Sequence, residues 1–201
     1  MKKLLTGAVL LGVVGVAIVS FTAGANNINL IVPNKATGIP LMQSIDERKS
    51  ATEFATTDLD SQTLSDVLWA AYGMNKKGTR TIPTANNKQN LKVYAVMKDG
   101  AYLYNGPKHR LERVTDKDLR PEYLDTQDYV QGVPLTLVYV GNDYDAMHAG
   151  SSYQNVSLYA ASQGLSARVR GYINNASGFG SELKLSDNEK VLISISVGNA
   201  K

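Results

Sequence analysis

The run from Val133 to Val140 constrains the possible folds of this chain more than any other stretch. Apolar residues, several of them β-branched, follow one another there almost without interruption, directly after Gly132. A strand with one solvated face alternates apolar and polar residues, whereas a strand buried on both faces does not need to alternate. The run therefore predicts a buried central strand of a β-sheet.

Helices and further strands are predicted on both sides of this run. The pattern of apolar residues predicts helices over residues 41–48, 61–73, 145–164 and 174–183. It predicts strands over residues 92–97, 101–104, 133–140, 165–170 and 190–197. The first two strands are joined by Lys98-Asp99-Gly100, a strong hairpin signal. This mixture predicts an α+β fold, and 201 residues suffice for one domain with a sizeable core.

Two further expectations concern single segments. Residues 112–127 are charged and contain Pro121, which predicts short helical pieces on the surface. Trp69 lies within the second predicted helix, and because large aromatic side chains usually contribute burial, we expect it in the core.

The N-terminus has the composition of an export signal. Met1-Lys2-Lys3 is basic, residues 4–21 are uncharged and mostly apolar, and Ala23-Gly24-Ala25 is a small-x-small cleavage site. We therefore predict a signal peptide over residues 1–25, an N-terminal extension over 26–40 and a folded domain over 41–201. The alternative is an uncleaved membrane anchor, since the apolar run is close to the roughly 18 residues that a spanning helix needs. Cleavage predicts a periplasmic or secreted protein without membrane attachment.

Composition excludes several kinds of chemistry. The 21 Lys and Arg residues against 18 Asp and Glu residues give a net charge of +3, and loss of Lys2 and Lys3 lowers it to about +1. A net charge this small does not indicate a nucleic-acid-binding surface. The absence of cysteine excludes disulfides and thiol chemistry. His109 and His148 lack the spacing of metal ligands. Asp143 and Asp145 are expected to be solvated loop residues. No side chain is predicted as a catalytic acid, base or nucleophile.

Two stretches are suited to binding a ligand. Residues 80–94 form a polar loop, rich in small and amide residues, that leads directly into a strand and can offer hydrogen bonds to a flat polar ligand. Arg48-Lys49-Ser50 combines two cations and a hydroxyl at a predicted helix end, and such a set can hold a phosphate through charge-assisted hydrogen bonds.

Five segments in order carry a resemblance to a known family. Residues 48–54 (RKSATEF) resemble a phosphate motif, residues 64–73 (LSDVLWAAYG) a helix before the flavin loop, and residues 80–89 (RTIPTANNKQ) that loop. Residues 154–171, which begin with QNVSL and end with VRG, resemble a helix and the turn that lies beside the flavin ring. Residues 197–201 (VGNAK) resemble a closing motif. The sequence thus resembles the FMN-dependent nitroreductase superfamily, within it the small branch of dehydrogenases that oxidise thiazoline and oxazoline rings.

The resemblance implies a four- or five-stranded, mostly antiparallel sheet flanked by helices, in a homodimer with FMN in two interface clefts. By matching positions, it implies that Arg48, Lys49 and Ser50 bind the FMN phosphate and that Thr84, Asn87 and Gln89 line the ribityl chain and ring edge. It further implies that Gln154 and Asn155 support the site and that the backbone of Arg170 and Gly171 lies by ring nitrogen N5.

Three positions depart from the family pattern. Thr52 replaces a third basic residue of the phosphate motif, which should weaken phosphate binding unless Lys201 or a basic residue of the partner subunit substitutes. Asn90 follows Gln89 where Pro or an acidic residue is usual, and His148 stands where the family often has Asp.

The resulting hypothesis is an exported oxidoreductase that transfers hydride through N5 in a ping-pong cycle, with a small-molecule substrate or redox partner. NAD(P)H is a cytoplasmic donor, so export favours another donor. The alternatives are a non-catalytic flavin-binding or degenerate relative, and a flavin-free extracellular binding domain.

Overall fold

A computed structural model describes residues 27–201 of the chain, so the predicted signal peptide lies outside the described residues. The helices are α1 (Leu41–Glu47), α2 (Ser61–Tyr72), α3 (Ala146–Ser162) and α4 (Ala176–Glu182). The strands are β1 (Ile28–Asn29), β2 (Lys92–Met97), β3 (Gly100–Asn105), β4 (Arg110–Thr115), β5 (Leu135–Gly141), β6 (Ser166–Arg170) and β7 (Lys190–Gly198). Single 3-10 or π turns cover Ala85–Asn87, Arg120–Leu124, Asp128–Val130 and Asp143–Asp145.

All seven strands form one antiparallel sheet in the order β1-β4-β3-β2-β5-β7-β6. β5 pairs with β2 on one side and β7 on the other, and each of its residues is buried. The predicted buried central strand and the α+β class with a mostly antiparallel sheet are both confirmed. The sheet has seven strands instead of the four or five that the resemblance implied, because β1 and β4 extend it beyond the predicted hairpin.

The sheet lies between two layers of helix. Successive residues of β5 point to opposite faces. Leu137 packs with Leu68 of α2 and Val156 of α3 in one core cluster, whereas Val138 packs with Phe179 of α4 in a second. α1 packs on α3 rather than on the sheet. Because β5 is buried on both faces, its sequence does not alternate between apolar and solvent-facing polar residues.

The second helix follows its sequence signals closely. The carboxylate of Asp60 accepts hydrogen bonds from the backbone N–H groups of Gln62 and Thr63, which caps the helix, and α2 ends before Gly73. The prediction that Trp69 belongs to the core is wrong. Its ring is only half-buried, its indole N–H donates to the carbonyl of Met74 at 2.9 Å, and Lys35 Nζ lies 4.9 Å from the ring centroid. Trp69 therefore covers the turn after α2.

The prediction of surface helical pieces over residues 112–127 is wrong for its first part, which belongs to β4. Charged residues are tolerated there because the strand buries Leu111 and leaves its neighbours partly exposed. Arg110 pairs with Glu112 on one face at 2.5 Å, and the Arg113 guanidinium lies 4.7 Å from the Tyr102 ring centroid. Helical turns begin only at Arg120.

The segment before α1 lies against the domain. β1 pairs with β4, the N–H of Asn34 donates to Asp66 Oδ1 at 2.8 Å, and the N–H of Ile39 donates to the Ser162 carbonyl at 3.3 Å. Among the helices of residues 27–201, none has the length and apolar character that crossing a bilayer requires.

Candidate functional site

The Arg48–Ser50 segment lies beside the first residues of the edge strand β6. The backbone N–H of Ala51 donates to the carbonyl of Ala167 at 2.9 Å, and Arg168 Nη1 donates to the carbonyl of Ala51 at 3.0 Å. These two bonds fix the chain just after α1. Arg48, Lys49 and Ser50 are all exposed, so their polar groups are available to a ligand.

A cleft of about 450 Å³ opens next to this segment. We call it the lysine cleft, and the residues that define it are Lys49, Thr52, Ser157, Gly164, Ser166 and Lys201. Lys201 reaches it because β7 ends at Gly198, which pairs with Ser166 at the start of β6. Glu47 and Glu53 also line the cleft, so two ammonium groups and two carboxylates share it. Neither Arg48 nor Ser50 is part of its lining.

The far end of β6 leads to Arg170 and Gly171. The Arg170 side chain is buried and turned into the domain, where Nη2 donates to the Leu124 carbonyl at 2.5 Å and Nε donates to Gln127 Oε1 at 3.2 Å. Burial lowers the pKa of this guanidinium. The side chain is therefore structural, and only the backbone here is open to a ligand. Gly171 is exposed, and a Cβ built on it meets no atom within 4 Å.

The distance between these two places suits an elongated ligand. Four residues separate Ala167, beside the phosphate motif, from Gly171. At the rise of a β-strand they span about 13 Å. One molecule with a phosphate at one end and a ring at the other can follow this edge.

The polar loop predicted to hold the ring is anchored at its start by α2 and α3. Arg80 Nη1 donates to the Tyr72 carbonyl at 3.0 Å, and its guanidinium lies 4.2 Å from the Tyr72 ring centroid. Asn155 Nδ2 contacts the carbonyl of Thr81 at 3.3 Å and that of Ala70 at 3.2 Å, so Asn155 does support the loop from α3. Gln154, its neighbour, is exposed on the helix.

The loop tip, residues 84–89, has an unusual backbone. Asn86 and Asn87 adopt φ values of 51° and 55°, a left-handed conformation that Asn tolerates better than most residues. The N–H of Asn87 donates to the Thr84 carbonyl at 3.1 Å, and Gln89 Nε2 donates to Asn87 Oδ1 at 3.0 Å. Asn87 is exposed, whereas Thr84 and Gln89 are half-buried.

His148 and Asp145 reach this loop from the start of α3. The Ala85 N–H donates to His148 Nε2 at 3.0 Å, and His148 Nδ1 lies 3.2 Å from Asp145 Oδ1. His148 is 4% exposed and Asp145 is 2% exposed. The expectation that Asp145 is a solvated loop residue is therefore wrong. The sequence held a signal for the structural role of Asp145, because Asn142 and Asp145 have the spacing of a capping box. The structure contains this capping box.

A buried Ser–His contact elsewhere holds the N-terminal segment. Ser65 Oγ lies 2.8 Å from His109 Nε2, and Tyr104 Oη lies 2.8 Å from Nδ1. Ser65 is fully buried, and both Ser65 Oγ and His109 Nε2 contact the Ile31 carbonyl. These contacts attach the segment around Ile31 to α2 and to the residue before β4. Among residues 27–201, no three His, Asp or Glu side chains are grouped as a metal site.

The two sets of predicted site residues lie at opposite ends of α3. His148, which contacts the loop tip, is in the first turn of the helix, and Gly164, in the lysine cleft, follows its last turn. Sixteen residues of helix correspond to about 24 Å. One chain thus places the phosphate motif and Gly171 along β6, and it places the tip of the polar loop at the first turn of α3. The two groups are therefore not brought together within one chain.

Comparisons with known proteins show a family. The nitroreductase family model matches residues 45–199. A crystal structure from Ralstonia eutropha JMP134, assigned as a nitroreductase, is 33% identical, with a TM-score of 0.78 and coverage of 90% of this chain and 91% of that chain. A protein of Methanocaldococcus jannaschii, assigned as a nitroreductase, is 28% identical in an alignment of 150 positions that covers 63% of this chain and 76% of that protein.

A third similarity is one of fold. A chain of the Escherichia coli microcin synthetase McbBCD complex, with truncated pro-MccB17 bound, is 21% identical and has a TM-score of 0.67. The alignment covers 96% of this chain and 85% of that one.

Proposed function

The chain belongs to the nitroreductase family, whose members are flavin-dependent oxidoreductases, and we propose that it is an exported, FMN-dependent enzyme that works as a homodimer. The observation that carries the proposal is the arrangement along β6. Lys49 and Lys201 share one cleft at the start of this edge strand, and the backbone of Gly171 is exposed at its end.

The lysine cleft fits the phosphate end of FMN. Two ammonium groups and the Thr52 hydroxyl supply donors of the kind that phosphate oxygens accept. Lys201 lines this cleft, and it is the residue that we propose as the substitute for the missing third basic residue. The small side chains around it, those of Ala160, Ala161 and Gly164, leave room for the ligand. Ser50 and Arg48 are next to the cleft in sequence and add further donors.

A homodimer completes the site. The apolar side chains of α1 face away from its own chain, with Leu41 63%, Met42 75% and Ile45 48% exposed, although the helix packs on α3 through Ser44. Exposed apolar surface of this kind marks an interaction site. A partner seated on α1 would cover it and would bring its own loop, with Thr84, Asn87 and Gln89, to the Gly171 end of β6.

FMN, when bound, supplies hydride transfer at ring nitrogen N5, used in turn by a donor and an acceptor. The protein's role is to bind the flavin and to orient it. The backbone N–H of Gly171 is accessible and can donate to a ring atom, whereas the buried Arg170 side chain holds this turn in place. Lys88, exposed in the loop tip, adds positive charge near the ring edge, which stabilises negative charge that develops there.

Export distinguishes the proposed enzyme from a cytoplasmic nitroreductase. The basic start, apolar run and Ala-Gly-Ala site support a signal peptide ending at Ala25. Because nicotinamides are cytoplasmic, we propose a different donor. The motif resemblance to thiazoline and oxazoline dehydrogenases makes such dihydro-heterocycles the first to test, since they give up a hydride and a proton on aromatisation.

The experiment begins with the full chain expressed in an exporting bacterium. Its compartment and mature N-terminus are read by fractionation and mass spectrometry. The recovered protein is mixed with FMN, separated from free flavin, and its flavin content measured. About one FMN per protomer is expected, with bleaching by dithionite and by a thiazoline but not by NADH or NADPH. A colourless protein would contradict the FMN proposal, and an N-terminus at Met1 would contradict export with cleavage.

A further inference from the structure

Three hydrogen bonds lie within the loop tip, residues 84–89: from the Asn87 N–H to the Thr84 carbonyl, from the Lys88 N–H to the Ala85 carbonyl, and from Gln89 Nε2 to Asn87 Oδ1. Asn86 and Asn87 both have left-handed φ values, 51° and 55°, which remain less favourable than ordinary backbone even for Asn. Such a conformation persists only when surrounding structure determines it. Within residues 27–201, the hydrogen bond that joins this segment to another element is that from the Ala85 N–H to His148 Nε2.

From this contact we infer that His148 is a positioning residue, whose neutral imidazole sets the conformation of the loop tip and thereby its fitness to hold FMN. The effect on FMN binding rests on the proposed function, whereas the effect of His148 on the loop conformation does not. It makes ligand binding at this loop sensitive to the protonation of one side chain.

The hydrogen-bond chemistry fixes which form of His148 is required. Ala85 N–H is a donor, so Nε2 has to be an acceptor, which only the neutral ring offers. Nδ1 then carries the proton and donates to Asp145 Oδ1. The second oxygen of Asp145 accepts from the Asn142 N–H at 3.1 Å, which fixes the carboxylate. The cationic ring has two donors and no acceptor, so protonation sets two N–H groups against each other.

The neighbouring groups are known on each side of the ring. Asp145 contacts it from the preceding turn, and the Tyr144 ring lies edge-on with centroids 6.3 Å apart. From α2, Tyr72 faces Asp145, and burial raises the pKa of its hydroxyl. Arg80 stacks on Tyr72.

Two variants separate the acceptor from the bulk of the ring. Gln places a carbonyl oxygen as many bonds from Cα as Nε2 and does not titrate, so His148→Gln retains an acceptor at all pH values. His148→Leu keeps a side chain of similar size without an acceptor.

The first measurement is amide hydrogen exchange at Ala85 in the flavin-free protein. Ala85 should be protected in the parent protein and in H148Q, and about tenfold less protected in H148L, since a lost hydrogen bond of this kind corresponds to that factor. Equal protection in all three proteins would overturn the inference. This measurement is independent of FMN, so it decides the loop's conformation even if the proposed function fails.

The second measurement is FMN affinity between about pH 8 and about pH 5, the range in which histidines change charge. The parent protein should lose affinity about tenfold as His148 is protonated, and H148Q should not show this loss. A purely structural role would leave the two pH profiles parallel, and parallel profiles would overturn the inference without requiring H148L to fold. A parent protein that binds no FMN at any pH would instead contradict the proposed function.

Discussion

Lys201, the last residue of the chain, lines the same cleft as Lys49, which follows the first helix. The pairing of β6 with β7 produces this meeting, because Ser166 and Gly198 are opposite each other at the end of the two strands. We propose that this contact serves phosphate binding, because Thr52 is uncharged and Lys201 brings a second ammonium group to the cleft.

The first prediction concerns these two lysines. Lys49→Ala and Lys201→Ala should each weaken FMN binding about five- to tenfold, which corresponds to about 1 kcal/mol for a solvent-exposed charge-assisted bond. Riboflavin has the same ring without the phosphate, so its affinity should not change. Fluorescence titration with both flavins gives the comparison.

Lys76→Ala is the matched control for the lysine variants, because Lys76 is exposed in the turn after α2 and away from the lysine cleft. It should bind both flavins as the parent protein does. If Lys49→Ala weakened riboflavin and FMN binding equally, the lysine would not be acting on the phosphate.

The second prediction concerns the exposed face of α1. Met42→Asp should convert the homodimer to monomer, because it sets a charge in a surface that we propose to be buried between two copies. FMN should be lost at the same time, since the loop tip would no longer reach the partner's β6. Sedimentation velocity and flavin content measure the two effects.

Val32→Asp serves as its control. Val32 is 82% exposed but precedes α1 in another segment. The variant should remain dimeric and retain FMN. A dimeric Met42→Asp protein that has lost its flavin would show that α1 contributes to the site in some other way than by dimerisation.

Much of the fold could be predicted from local patterns. Asp60 and Gly73 mark the two ends of α2, and the unbroken apolar run identifies β5. Both signals are local, because helix capping and strand burial depend on residues that are adjacent in sequence. β4 was missed because its charged residues are paired by contacts across the sheet, such as Arg113 with Tyr102. Such contacts depend on register, which a single sequence does not display.

The candidate site was predicted in its parts but not in its arrangement. The motif resemblance pointed to the phosphate segment and the loop, and these assignments stay predictions, but a motif does not give the length of α3 between them, which is about 24 Å from His148 to Gly164. It also missed that the Arg170 side chain turns inward to Leu124. The contact of His148 with Ala85 joins residues distant in sequence, and only the packing of α3 against the loop reveals it.

The third prediction concerns stability and pH. Burial holds the pKa of His109 below its ordinary value of 6.5, against the opposing effect of the Ile31 carbonyl. The unfolded chain therefore binds the proton more readily than the folded one. Stability should be complete above about pH 6.5 and should fall as the pH drops from there through the lowered pKa of the folded state. Urea unfolding at a series of pH values measures this.

His109→Asn tests the assignment of this pH dependence. Asn tolerates the left-handed backbone at this position, where φ is 45°, and does not titrate. The variant should be less stable at neutral pH because Nε2 no longer contacts the Ile31 carbonyl. Its loss of stability below about pH 6.5 should be smaller than in the parent protein. An unchanged loss would assign the effect to other groups.

The last prediction uses Gly171 to separate ligand binding from folding. A Cβ at this position meets nothing within 4 Å in the described chain, and its φ is not positive, so a larger residue costs the monomer little. Gly171→Val should leave the free energy of unfolding of the flavin-free protein within about 0.5 kcal/mol of the parent value. If the FMN ring lies against this backbone, the branched side chain should occupy its place and lower FMN affinity more than tenfold, about 1.4 kcal/mol. Urea unfolding and flavin titration are done on the same preparation. A stable Gly171→Val protein that binds FMN normally would remove the end of β6 from the site, and the ring would then have to be sought elsewhere on the molecule.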